Sequence, residues 1–128
     1  ARVPVANRLG EEGQGFRIAL QALTLSRLGI GALALGGAER ALEEAVQYSM
    51  EHIQFGVPIA QKQAIQNYVA DAKAQIEALR CSVTYAAWLA DTNQDFRLQA
   101  SAVKLFGTRA ATEITNKMLQ VHGGYGYM

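Results

Sequence analysis

The sequence predicts an all-α fold, an up-down antiparallel helical bundle made of three long helices of an incomplete four-helix bundle. Three observations carry that expectation. Apolar residues recur at steps of three and four from about Phe16 to Val121, the spacing of one helix face. Only two prolines occur, Pro4 and Pro58, and both sit where that periodicity lapses. No alternating run of the kind a half-buried strand needs breaks the middle of the chain.

The opening segment reads as a loop, because Pro4, Asn7, Gly10, Gly13 and Gly15 interrupt any period. The first helix is expected from Gly15 or Phe16 to His52. Leu35, Leu42, Val46 and Met50 fall near one face, and Arg40 and Glu44 are spaced to pair on another. Gly29, Gly31, Gly36 and Gly37 each cost about 1 kcal/mol of helix stability relative to Ala. Such a cluster fits a helix that another backbone or a bulky ligand approaches closely.

Pro58 ends this helix by biasing Val57 away from helical geometry. The second helix is expected from Ala60 to Leu89 or Ala90, with Ile65, Val69, Ala72, Ile76, Leu79, Val83, Ala86 and Ala90 as its stripe. Those steps alternate four and three, a 3.5-residue period that marks helices packed at a shallow left-handed crossing. Asp91 to Asp95 is a polar turn rich in N-cap candidates. The third helix follows from Phe96 to Leu119, with Val103, Phe106, Ala110, Ile114, Met118 and Val121 inward, and stops at His122-Gly123-Gly124. A helix of ~35 residues spans about 50 Å, longer than a globule of this size needs. A fourth helix is therefore expected to be missing or supplied by another chain.

Composition narrows the function classes. The chain has 128 residues, half of them hydrophobic and 18% charged, with a net charge of +1. One domain with a real core is expected, hiding part of its apolar surface against a partner. Twelve basic and eleven acidic residues are scattered, so the clustered Lys and Arg that nucleic acid requires are lacking. Cys81 stands alone, which excludes an internal disulfide and fits a reducing compartment; it is expected to be a small buried residue. Two separated histidines and one cysteine give no metal-ligand spacing. The start carries no signal-peptide pattern. The most apolar stretch, Leu28 to Ala38, falls short of the ~20 residues of a membrane span. A soluble intracellular domain without a membrane span is the expectation.

Two clusters stand out at helix ends. One is Glu51-His52-Ile53-Gln54-Phe55-Gly56-Val57-Pro58-Ile59 with Gln63 and Asp71; the other is Gln120-Val121-His122-Gly123-Gly124-Tyr125-Gly126. Free backbone N–H groups at such ends can receive anionic or polar groups. Glycine also caps ordinary helices, and no strand precedes Gly123-Gly124 as a nucleotide fingerprint requires. From the residues alone both readings stay open.

The first cluster, with Gln63 and Ala70-Asp71, resembles the acyl-CoA dehydrogenase pattern that begins with Arg and runs through Phe-Gly-x-Pro-Ile to Gln and Ala-Asp. The second is similar to the same family's other hallmark. Arg2-Val3-Pro4 with Asn7 and Leu9 to Phe16 resembles the connection from that family's middle β-domain into its carboxy-terminal helices. The resemblance implies a linker over 1–15 and an incomplete carboxy-terminal bundle over 16–128. It implies FAD as cofactor, contacted by His52, Gln54, Phe55 and Gln63 across a subunit boundary and by Gln120, Val121, His122, Gly123 and Gly124 at the diphosphate and adenosine end. Backbone rather than imidazole is the expected contribution of His122. Arg27 matches an arginine lining the acyl-CoA site, where a guanidinium fork can bind phosphate or ribose.

The resemblance further implies oxidation of acyl-CoA to the 2,3-enoyl-CoA and electron delivery to an electron-transferring flavoprotein. A homotetramer is expected for the whole enzyme and a dimer for the chain alone, in bacterial cytoplasm or mitochondrial matrix. Departures from the pattern matter as much. His52 stands where the family usually has Arg, replacing a permanent charge with a titratable ring. Ser26 stands where some members place the catalytic Glu, and most others carry that base beyond the position of Met128. No catalytic residue is assigned here, and the chain alone is expected to be inactive. Two alternatives remain: a flavin oxidase or monooxygenase of the same fold, or a non-catalytic oligomerisation module. Tyr85 and Trp88 are expected in a core or an interface.

Overall fold

The computed structural model describes residues 2–128, so residue 1 of the expected linker lies outside the described residues. Helix α1 (Gly15–Glu51) has 37 residues. Helix α2 (Gln63–Asp91) has 29 and helix α3 (Arg97–Val121) has 25. Between α1 and α2 the chain forms a hairpin of two short strands, β1 (Ile53–Gln54) and β2 (Val57–Pro58). The chain runs up, down and up, so α1 and α3 are parallel, with α2 antiparallel to both. Side-chain contacts fix this sense: Gly31 meets Val103 near one end of the bundle, and Tyr48 stacks on His122 near the other.

The three helices meet because each carries an inward line built from steps of three and four residues or their sum. On α1 this line is Leu28, Gly31, Ala38, Ala45 and Ser49, with half-buried Leu35 and Leu42 filling the intervals. On α3 it is Ala100, Val103, Gly107, Ala110, Ile114, Met118 and Val121. Small residues on both lines bring the backbones of α1 and α3 close. At Gly31 the need is strict, because a Cβ there would sit 2.1 Å from Val103 Cγ1. Helix α2 contributes Ala72, Ile76, Leu79, Ala86 and Leu89. Burial of Ile76, Leu79, Ile114 and Met118 contributes roughly 1.5–3 kcal/mol each. Ion pairs Glu39–Arg80 and Asp71–Lys117 tie α2 to α1 and α3 across the surface.

Several expectations are corrected in detail. Met50 is exposed, and Ser49 takes the buried position with its hydroxyl donating to Val46 O at 2.8 Å. Phe106 is also turned outward, because Gly107 holds the inward position. Ala60 belongs to a 3-10 turn, Ile59–Gln61, ahead of α2. Cys81 is exposed rather than buried: it falls between Leu79 and Val83 on the outer side of the 3.5-residue stripe. Tyr85 and Trp88 are exposed and stacked on each other with centroids 6.0 Å apart, which sets aside the core placement and leaves the interface one. Of the four clustered glycines only Gly31 meets a neighbour; at 29, 36 and 37 a Cβ would find nothing within 4 Å.

The polar turn works through Asp95 and Asn93 rather than through an N-cap side chain. Asn93, at φ 57°, donates its N–H to Ala90 O, and Gln94 donates to Leu89 O; this pair of bonds closes α2 in a Schellman motif. Asp95 then accepts from the backbone N–H of Arg97 at 3.1 Å and from its guanidinium at 2.6 and 2.9 Å.

Helix α1 also revises the reading of its apolar stretch. It contains an 18-residue window of mean hydropathy 1.6, with only 6% of that window buried, so by length and composition it reaches what a membrane crossing needs. The whole chain exposes 8913 Å². A folded monomer of 13.8 kDa exposes about 6,600 Å². Exposed apolar side chains such as Leu23, Leu25, Leu33, Leu98 and Leu105 contribute to that excess.

Candidate functional site

At the end of the bundle where α1 finishes, three chain segments converge. Helix α1 ends because the backbone at His52 turns extended, its N–H still donating to Tyr48 O at 2.9 Å. The hairpin follows, closed by Ile59 N–H donating to His52 O at 3.0 Å. Its register pairs Ile53 with Pro58 and Gln54 with Val57, leaving Phe55 and Gly56 as a two-residue turn. Both have positive φ, 54° and 81°, the signature of a type I′ turn. For glycine that geometry is free, but for a phenylalanine it is strained. The Phe55 ring is 94% exposed, so no burial within the chain offsets the strain. Lys62 Nζ lies 5.8 Å from its centroid.

Opposite the hairpin, α3 ends at Val121 and the chain passes through Gly123, at φ 59°, into a 3-10 turn, Gly123–Gly126. Gly126 is needed for close approach: a Cβ there would meet Leu119 O at 2.4 Å. At Gly124 the reverse holds, and a Cβ would find only open space within 4 Å. His122 Nδ1 lies 2.9 Å from Met118 O. A carbonyl only accepts, so Nδ1 carries the hydrogen and Nε2 is left free in the neutral ring.

Hairpin and glycine turn face each other across a groove of about 280 Å³. Its walls are His52, Gln54, Ile59, Gln120, Val121, His122, Gly123 and Gly124 from the two sequence clusters, joined by Lys62, Ala64 and Ile65. Seven of the expected cofactor residues are thus brought together. Phe55 stands at the hairpin tip and Gln63 on an exposed face of α2, both outside the groove lining. Asp71 lies further along α2, 3.7 Å from Lys117. Lys62, which the sequence reading passed over, is the permanent cation of the groove. No sequence signal marks it, because an α2 expected from Ala60 puts Lys62 inside the helix rather than at its N-terminus.

Arg27 belongs to a second, wider cleft at the opposite end, of about 1030 Å³. It is bounded by α1 from Arg17 to Arg27 and by the α2–α3 turn. Arg27 Nη1 points at Ser101 Oγ, 3.4 Å away, and Asp95 in the same wall is already taken by Arg97. The Asp95 carboxyl is held down at about 2, chiefly by the side-chain hydrogen bonds from Arg97 and then by the Arg97 backbone N–H. Ser26 offers no base: its hydroxyl donates to Ala22 O at 2.9 Å. Among the described residues no group of three or more His, Cys, Asp or Glu is placed to hold a metal.

Residues 13–128 match the family model for the acyl-CoA dehydrogenase carboxy-terminal domain. The chain belongs to the acyl-CoA dehydrogenase family. It is 49% identical over 127 residues to an acryloyl-CoA reductase (NADH) of Anaerotignum propionicum, covering 99% of this chain and 32% of that protein. The solved butyryl-CoA dehydrogenase of Megasphaera elsdenii superposes with a TM-score of 0.96 at 44% identity, over 98% of this chain and 33% of that one. The FAD complex of PigA superposes at 0.89 with 29% identity, over 98% and 33%. The chain spans about a third of the length of the curated relatives it matches. As an acyl-CoA dehydrogenase domain it has the expected all-α architecture, and both family hallmarks lie at one end of its bundle.

Proposed function

We propose that this chain is the FAD-gripping and subunit-joining domain of an enzyme that oxidises an acyl-CoA thioester to its 2,3-enoyl-CoA. The observation that carries the reading is the single groove formed by two hallmarks that α2 and α3 separate in sequence. Its donors suit a diphosphate. Lys62 supplies the permanent charge, and Gly124 leaves open the space through which phosphate oxygens approach the backbone. Gln54 and Gln120 add neutral donors for the sugar or base. When bound, FAD supplies a hydride acceptor for the thioester's β-carbon. This chain's own part is to hold the cofactor's diphosphate end and to shape the cleft around Arg27, where a guanidinium can grip the substrate's phosphates.

The two clefts also favour an oligomer. Arg27 and His52 are 25 positions apart on one helix, which places them about 37 Å apart. An extended dinucleotide does not bridge that span, yet flavin and substrate must touch. A groove on one copy serving the substrate cleft of another resolves the conflict, and the exposed apolar side of α1 offers the surface to pack. That surface is then an interface between protein elements, and no membrane span is required of α1. Electrons would pass on to an electron-transferring flavoprotein, in bacterial cytoplasm or mitochondrial matrix. The chain is assigned no catalytic base and is expected to be inactive alone.

The test is the visible spectrum of the full-length polypeptide carrying this domain, mixed anaerobically with acyl-CoA thioesters of several lengths. Bleaching of bound flavin by one of them is expected. Flavin that stays oxidised with all of them overturns the dehydrogenase reading, and protein that binds no flavin overturns the cofactor reading. The similarity to an acryloyl-CoA reductase makes the reverse direction a necessary control, run with reduced flavin and an enoyl-CoA.

A further inference from the structure

We propose that Tyr48 is the positioning residue that joins the two halves of the cofactor groove, acting through a three-ring stack with His52 and His122; this rests on the groove's reading as an FAD site. Tyr48 lies on the last turn of α1, half-buried against the core. Its ring stacks on His52, with centroids 4.9 Å apart and planes 14° from parallel. It also stacks on His122, at 4.7 Å and 28°. Tyr125 closes the cluster edge-on at 6.3 Å.

The two outer rings belong to different walls. His52 begins the hairpin and His122 begins the glycine turn. Among the described residues no hydrogen bond joins residues 52–59 to residues 120–127. The distance between the walls is therefore set by packing, and the Tyr48 ring touches the first residue of each. The His122 ring is held by its Nδ1–H donating to Met118 O, and the His52 backbone, though not its ring, is held by its N–H donating to Tyr48 O. A ring in contact with the first residue of each wall couples their positions, and aromatic pairs at these separations attract beyond their burial. The Tyr48 hydroxyl takes part in no hydrogen bond among the described residues, so the ring rather than the phenol carries the role.

The experiment compares FAD affinity, by flavin fluorescence, in the full-length polypeptide with Tyr48, Tyr48→Phe and Tyr48→Leu. Leucine keeps the apolar volume and removes the stack. Tyr48→Phe is expected to bind within about twofold of the unaltered protein, and Tyr48→Leu about tenfold more weakly, with helix content retained by circular dichroism. Equal affinity for Tyr48→Leu overturns the proposal, as does a Tyr48→Phe variant as weak as Tyr48→Leu. A second reading needs no FAD and no variant that folds poorly. The 128-residue chain has two histidines, and the ring current of Tyr48 should move their imidazole C–H proton resonances upfield. Resonances at unshifted positions overturn the stack. Shifted resonances in a protein that binds no FAD leave the stack standing and sink the FAD reading, and with it the positioning role.

Discussion

Gly31 of α1 and Val103 of α3 face each other so closely that a Cβ on Gly31 would lie 2.1 Å from Val103 Cγ1. This crossing sets how near the two parallel helices lie, and Gly107 sits beside it, where a Cβ would be 3.1 Å from Leu79 Cδ1. Gly31→Ala is therefore expected to force α1 and α3 apart and to cost about 1–3 kcal/mol, read as a lower Tm. An unchanged Tm would mean that the helices pack more loosely than described.

Gly36→Ala should act in the opposite direction. A Cβ there meets nothing within 4 Å, so the gain in helix propensity, about 1 kcal/mol, is not offset within the chain. Thermal unfolding of the 128-residue chain should shift upward by a few degrees. If a second copy or another domain packs on that face, the same substitution would lower the assembled protein's stability instead.

Asp95 gives a pH dependence with a definite sign. Its carboxyl is lowered from 3.8 to about 2 by Arg97, so the ionised form is favoured by folding. The pair therefore stabilises the start of α3 fully above pH 3.8, and the contribution is lost as pH falls through about 2. Amide exchange at Arg97 should accelerate over that interval, and Asp95→Asn should abolish the acid-dependent change. Protection that is flat down to pH 2 would contradict the pairing.

Gly126→Ala should damage the glycine turn specifically, because its Cβ would meet the backbone oxygen of Leu119 at 2.4 Å. The turn cannot close without moving, and FAD affinity is expected to fall about tenfold or more while α1, α2 and α3 keep their helix content. Wild-type affinity in this variant would separate the turn from the groove.

Lys62→Gln tests the electrostatic part of the groove. An exposed cation beside a diphosphate is worth about 1 kcal/mol, so affinity should fall several-fold at low salt. The difference should shrink as added salt screens the lysine. A loss that does not depend on salt would point to a packing role for the lysine stem.

Much of the bundle was legible because the helices bury one face each. The 3.5-residue stripe on α2 located Ala72, Ile76, Leu79 and Ala86 directly. Helix α1 was harder: its inward line is Gly31, Ala38, Ala45 and Ser49, small residues that a search for large apolar side chains passes over in favour of Met50. Phe106 misled for the same reason, since Gly107 beside it faces inward. The hairpin was missed because a two-residue strand has no room for alternation. At the site, the two clusters gave the groove's walls, while Lys62 and Tyr48 emerge only when three helix ends are brought together in space.

The most direct test of the central claim is FAD affinity in the full-length polypeptide with Gly124→Val. A Cβ at position 124 meets nothing within 4 Å, so the fold has no reason to object, but the added side chain would occupy the groove beside the backbone. An unchanged Tm without FAD and an affinity weakened by about tenfold or more are expected. Unchanged affinity with unchanged stability would mean that the cofactor does not lie between His52 and Gly124.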